Sequence, residues 1–179
     1  MPISAAAVPT VPFLVSLAVR PLPLGPLQPL LAGFMAAVTR RHPRIFERLG
    51  PHAGKRFGLD PTDLPLAFVL APDPACPRAV AVRELPAGLD ARIAGPLAGL
   101  VGQLDGSYDG DALFFSRDIV VEGDMEAVLA LRNALDDAQI DVARLAAAAL
   151  GPFGAFAEPV LRGALRAVRT DDRVARRDG

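Results

Sequence analysis

The sequence predicts an α+β domain, with about five short strands in one sheet and amphipathic helices covering it. Three observations predict this. Short apolar or β-branched runs bounded by Pro, Gly and Asp recur between Lys55 and Val121, the signature of strands joined by turns. Apolar residues at helical spacing recur before, within and after that region. One stretch, Asp109 to Val142, runs without interruption from a turn through an apolar patch and a strand into a capped helix.

Taken in order, residues 1–39 carry a single charge, Arg20. The low charge imitates a membrane span, but Pro9, Pro12, Pro21, Pro23, Pro26 and Pro29 each remove a backbone donor and break helix continuity. A secretory leader needs a basic start and an unbroken apolar run, and this segment has neither. Two readings stand: an irregular arm wrapped over a core, or an arm resting on a membrane or on bound lipid. Pro29 to Arg41 is expected as the first helix, with Leu30, Leu31, Phe34 and Val38 on one side and Arg40 and Arg41 in the last turn, where cations complement the helix dipole. Ile45 to Leu49 is a second short helix, ended by Gly50-Pro51.

Lys55 to Asp60 is expected as a strand, followed by a turn over Pro61 to Pro65. Leu66 to Ala71 is apolar on both alternating faces, so it reads as a central strand covered on both sides. Ala79 to Glu84 is a neighbouring strand after the loop Pro72 to Pro77, and Asp90 to Ala94 is a further, weaker one. Pro96 opens a helix in which Leu97, Leu100, Val101 and Leu104 follow i, i+3, i+4 and i+7.

Asp109-Gly110-Asp111 then turns the chain, Leu113, Phe114 and Phe115 form the apolar patch, and Ile119, Val120 and Val121 form a strand with Ile119 and Val121 on one face. Gly123 breaks the strand and Asp124 is a helix N-cap. Val128, Leu131, Leu135 and Ala138 make the apolar stripe of the following helix, with Arg132, Asp136 and Asp137 outside it. Val142 to Leu150 is an Ala-rich helix, Gly151 to Ala157 a loop carrying Phe153 and Phe156, Pro159 to Arg169 a last helix, and 170–179 a polar tail.

Composition narrows the function. The 179 residues suit one domain; hydrophobic residues make up 51% and aromatics only 6%, so the apolar mass is aliphatic. A net charge of -1, one Tyr and no Trp give neither an electrostatic field nor stacking platforms for nucleic acid. Cys76 is alone, which excludes an internal disulfide and fits a reducing cytosol.

Reactive motifs fail on spacing. Gly50 to Arg56 has one residue too few for a phosphate loop and puts Arg56 where a hydroxyl is needed. Asp105, Ser107, Asp109 and Gly110 imitate a calcium loop that Ser116 leaves without its closing Glu. Gly95, Gly99, Gly102 and Gly106 lack the strand–turn–helix setting of a dinucleotide fingerprint. His42 and His52 have no ligand neighbours at metal spacing, and no nucleophile elbow surrounds Ser116.

In the last helix Arg162, Arg166, Arg169 and Arg173 share one face beside Leu161, Leu165 and Val168. That is the pattern of a helix in a membrane interface, with Phe153 and Phe156 just upstream; an ordinary surface helix with its apolar side on the core has the same pattern.

The string LFFSRDIVVEGDMEAVLALRNALD resembles the end of the sterol-carrier-protein type 2 lipid-binding domain, where an FF patch leads through a strand into a Gly-Asp helix start. The resemblance covers roughly Arg20 to Asp141 and is densest from Asp109 to Asp137. Within that family the chain is most similar to accessory factors of bacterial oxygen-independent ubiquinone biosynthesis. The resemblance implies a mixed sheet of about five strands and covering helices that enclose an apolar tunnel. It divides the chain into a Pro-rich arm at 1–28, the lipid-binding domain at 29–150 and a basic amphipathic helix with polar tail at 151–179.

The resemblance further implies a non-catalytic, cofactor-free protein of the cytoplasm, peripheral at the inner membrane. Such a protein would bind prenylated quinone precursors, or phospholipid, and present them to ubiquinone-biosynthesis enzymes. Phe34, Phe68, Leu70, Ile93, Leu97, Leu100, Val101, Leu104, Phe114, Phe115, Ile119, Val121, Val128, Leu131 and Leu135 are the expected lining. Arg162, Arg166, Arg169, Phe153 and Phe156 are the expected membrane contacts. A scaffold subunit, a general phospholipid or fatty-acid carrier, and a lipid-modifying transferase are the alternatives, because the same aliphatic residues build a hollow interior or a filled one.

Overall fold

A computed structural model of the chain describes residues 10–11, 16–17, 20–21, 23–104, 119–138 and 140. Helix α1 spans Leu27–Arg41, two residues longer at its start than the spacing predicts. A turn over Leu24 to Pro26 leads straight into it, with the Leu27 and Gln28 N–H groups donating to Leu24 and Gly25. Pro29 then sits third in the helix, where an N–H would have no intrahelical acceptor. Pro43 separates α1 from α2 (Arg44–Leu49), which runs into a single 3-10 turn at Gly50–His52.

Strands β1 (Phe57–Pro61), β2 (Ala67–Ala71), β3 (Arg78–Val82), β4 (Ala91–Gly95) and β5 (Val120–Gly123) form one sheet in the order β3-β2-β1-β4-β5. β1 and β4 are parallel and every other pair is antiparallel, so the sheet is mixed. Helix α3 (Leu97–Leu104) follows β4, and α4 (Met125–Ala138) follows β5.

One expectation is corrected here. The central strand is β1, not Leu66 to Ala71, because β4 returns parallel to β1 and takes its free edge; β2 is left between β1 and β3, with Phe68 to Ala71 only half-buried. Gly123 ends the last strand as expected: it is the final residue of β5, at φ +88, where its missing Cβ lets the Asp90 carbonyl approach.

From Gly123 the chain turns into α4, and the Asp124 carboxylate accepts the N–H of Ala127 at 2.9 Å as the N-cap. Lys55 pairs with the same carboxylate. The start of β1 is thereby tied to the start of α4. Asp63 does similar work at the other end of the sheet: it accepts the N–H of Leu97 at 2.9 Å, at the head of α3, and that of Val11 at 2.8 Å, from the arm. The core joins the helices to β1 and β4, with Ala37 and Val38 of α1, Ile45 and Leu49 of α2, Phe57, Ile93, Ala98 and the α4 residues Ala127, Val128, Leu131 and Ala134 in one cluster. Among the described residues no helix is long and apolar enough to cross a membrane.

Candidate functional site

The strand registers build a two-faced sheet. Leu59 pairs with Phe68 on one side and with Ile93 on the other; Phe68 pairs onward with Ala81 and Ile93 with Val121. Ala81, Phe68, Leu59, Ile93 and Val121 therefore form one apolar row across all five strands. Two residues along each strand, on the same face, lies a second row: Ala79, Leu70, Phe57, Ala91 and Gly123. The opposite face is partly ionic. There Arg92 donates to Asp60, from its Nε at 3.1 Å, and to Glu122 at 3.0 Å; these hydrogen bonds, that to Asp60 first, hold its guanidinium above the ordinary arginine value.

Depth varies along both apolar rows. Ala81, Ile93, Phe57 and Ala91 are buried, whereas Leu59, Phe68 and Val121 in the first row and Ala79 and Leu70 in the second are only half-buried. Around the sealed part, Phe34, Leu59, Leu70, Leu100, Val121 and Leu135 form a half-buried apolar margin against the core. Among the described residues no polar or charged side chain is buried. This face can hold an apolar chain by dispersion and by its removal from water. Among the described residues it offers no buried polar side chain to anchor one.

Of the lining residues expected from sequence, Ile93, Ile119, Val128 and Leu131 belong to the buried core, and Phe34, Leu70, Leu100, Val121 and Leu135 to its half-buried margin. Phe68 lies in the first row, half-buried. Leu97 and Val101 are half-buried on α3, and Leu104 closes that helix. Phe114 and Phe115 lie outside the described residues, as do Phe153, Phe156, Arg162, Arg166 and Arg169 and the helices expected at 142–150 and 159–169.

Sequence reasoning missed Leu59, the centre of the row; its signal is the alternation of Phe57 and Leu59 around Gly58. It also missed a groove of about 570 Å³ between α1 and β3, lined by Gln28, Ala32, Ala36, Arg40, Arg78 and Val80 among others. Cys76 is exposed. His52 carries a buried Nδ1 without a hydrogen-bond partner, and among the described residues no cluster of three or more His, Cys, Asp or Glu could hold a metal ion.

The model of the SCP-2 sterol transfer family matches residues 36–136, from the middle of α1 to near the end of α4. Among solved structures, a UbiJ-SCP2 ubiquinone synthesis protein is similar with a TM-score of 0.51 and 18% identity, over 68% of this chain and 98% of that one. The apo form of sterol carrier protein 2 from Yarrowia lipolytica is 14% identical over 63% of this chain and 91% of its own, with a TM-score of 0.45. Sterol carrier protein domain 2 of Helicoverpa armigera is 13% identical over 61% and 84%, also at 0.45. A search of curated proteins gives no match.

Proposed function

The chain belongs to the SCP-2 sterol transfer family, and on that premise we propose that it is a non-catalytic lipid carrier for prenylated ubiquinone precursors. It binds their polyprenyl tails and presents the aromatic head to the ring-modifying enzymes of oxygen-independent ubiquinone biosynthesis, at the cytoplasmic surface of the inner membrane. The observation that carries this reading is the apolar row Ala81–Phe68–Leu59–Ile93–Val121, half-buried at Phe68, Leu59 and Val121 and free of buried polar groups among the described residues. A branched hydrocarbon tail matches such a strip; a sugar, nucleotide or peptide would leave its polar groups unpaired there. Removing roughly 300 Å² of tail from water at about 25 cal/mol per Å² gives about 7.5 kcal/mol, the micromolar range before ordering costs. The fold likeness to a ubiquinone synthesis protein supports the quinone class over other lipids.

Native mass spectrometry of the protein purified from a ubiquinone-producing bacterium, with identification of the extracted lipid, tests the proposal. A stoichiometric prenylated phenol is the expected result. Phospholipid alone removes the quinone assignment. A protein that is empty and takes up no added prenylphenol removes the carrier reading as well.

A further inference from the structure

The groove between α1 and β3 touches the interior face only at Ala79, its lining includes none of Phe68, Leu59, Ile93 and Val121, and its construction is specific. Helix α1 lies along the outer edge of β3, the last strand of the sheet. At one end Gln28 closes the space: its amide donates to the Ala81 carbonyl at 2.8 Å and accepts from the Ala81 N–H at 3.3 Å. Along the middle, α1 presents Ala32 and Ala36, both exposed, followed by Thr39, opposite Pro77, Ala79 and the exposed Val80. Two alanines one helical turn apart leave an apolar trough where longer side chains would fill it. At the far end stand Arg40 and Arg78. Arg40 has no ion-pair or hydrogen-bond partner among the described residues. Arg78 bonds the Cys76 sulfur through Nε at 3.2 Å and has no carboxylate partner among the described residues.

The trough therefore has an amide stop, an aliphatic wall and two cations that have no carboxylate partner among the described residues. The twelve helical rises from Gln28 to Arg40 span about 18 Å, the length of a medium to long alkyl chain. We infer that this groove is a second binding site, for a single-chain amphiphile with an anionic head. The tail lies along Ala32, Ala36 and Val80 towards Gln28, and the carboxylate or phosphate head is held by Arg40 and Arg78. A neutral prenylphenol lacks the charge that these arginines complement, so the groove selects a different lipid from the interior row. A free anion without a tail leaves the apolar wall unused.

Dodecyl phosphate, dodecanol and inorganic phosphate, titrated into the full chain, test the site, with calorimetry for affinity and backbone amide shifts for location. The expected result is dodecyl phosphate binding that shifts Ala79 and Val80. Reversing both charges (Arg40→Glu with Arg78→Glu) weakens dodecyl phosphate about ten-fold or more while leaving dodecanol nearly unchanged, as expected for lost charge-assisted bonds. Ala36→Phe, at an exposed position, weakens both by filling the trough. Any of three results overturns the inference: dodecyl phosphate affinity unchanged in both variants, inorganic phosphate binding as tightly as dodecyl phosphate, or shifts confined to Leu59 and Ile93. Uptake of neutral prenylphenol, unaffected by these variants, reports on the interior site separately.

Discussion

Gln28 and Ala81 are joined by two hydrogen bonds that copy the pairing of a strand: the side-chain amide of one stands in for the peptide that the other, on the outer edge of β3, would meet in a sixth strand. An uncapped edge is a template for pairing with another chain. Gln28→Leu is expected to lower stability by about 1–2 kcal/mol, the worth of two neutral hydrogen bonds, and to raise the exchange rate of the Ala81 amide. Exchange at Ala81 as slow in the variant as in the parent refutes this role.

The Lys55–Asp124 pair sets a pH dependence whose sign can be worked out. The hydrogen bond from Lys55, and then that from the Ala127 N–H, hold the Asp124 carboxyl below its ordinary value of 3.8. Its contribution is therefore complete above that value and lost as pH falls through the lower, folded one. The hydrogen bond to Asp124 raises Lys55 above its ordinary 10.5, so its contribution is complete below that value and lost as pH rises through the higher, folded one. Asp124→Asn keeps a capping residue but removes the ion pair. Its Tm is expected to lie below the parent's at neutral pH, with the gap closing in acid and again in strong base. A gap that widens in acid contradicts the assignment.

Two glycines that look alike in sequence differ in what surrounds them. A Cβ on Gly123 would lie 2.4 Å from the Asp90 carbonyl oxygen, and its φ of +88 disfavours any L side chain. Gly123→Ala is expected to cost at least about 2 kcal/mol, because backbone must move as well as adopt a strained conformation. The nearest atoms to a Cβ on Gly58 would be the side-chain ends of Leu89 and Leu85, at 2.7 and 2.8 Å. Those side chains can swing away, so Gly58→Ala is the milder change. Denaturant unfolding of both variants ranks them.

Depth within the apolar rows separates stability from binding. Phe57→Ala empties a sealed position and is expected to cost about 3–5 kcal/mol. Leu59→Ala and Phe68→Ala alter half-buried positions and leave the protein folded, with prenylphenol affinity reduced several-fold. Equal affinity in these two variants and the parent, measured by fluorescence quenching or native mass spectrometry, counts against the row as the tail site.

Asp63 predicts a mechanical effect. Its carboxylate holds both the head of α3 and the arm at Val11. Asp63→Ala is expected to destabilise the protein by about 1 kcal/mol and to speed proteolysis of the arm ahead of the remainder. Uniform proteolysis would leave Asp63 as a cap and nothing more.

The amino-acid sequence by itself determined the local elements. The helices α1, α3 and α4, the five strands to within about two residues, and the Asp124 cap were all legible, because periodicity, proline and capping chemistry act over a few neighbours. The buried faces were less so, since α1 buries Met35, Ala37 and Val38, α3 buries Ala98, and α4 buries Ala127 and Ala134 beside Val128 and Leu131. The family was legible too, from the run Leu113 to Asp136. Pairing was not. That β4 returns parallel to β1, putting Leu59 rather than β2 at the centre, depends on groups some 30 residues apart meeting, as Arg56 and Asp90 do through a 2.7 Å bond from the Arg56 N–H to the Asp90 carboxylate. The groove beside β3 was equally hidden. Ala32 and Ala36 read as ordinary helix formers until the edge of a strand from elsewhere in the chain is laid beside them, and only that placement turns missing side chains into a space.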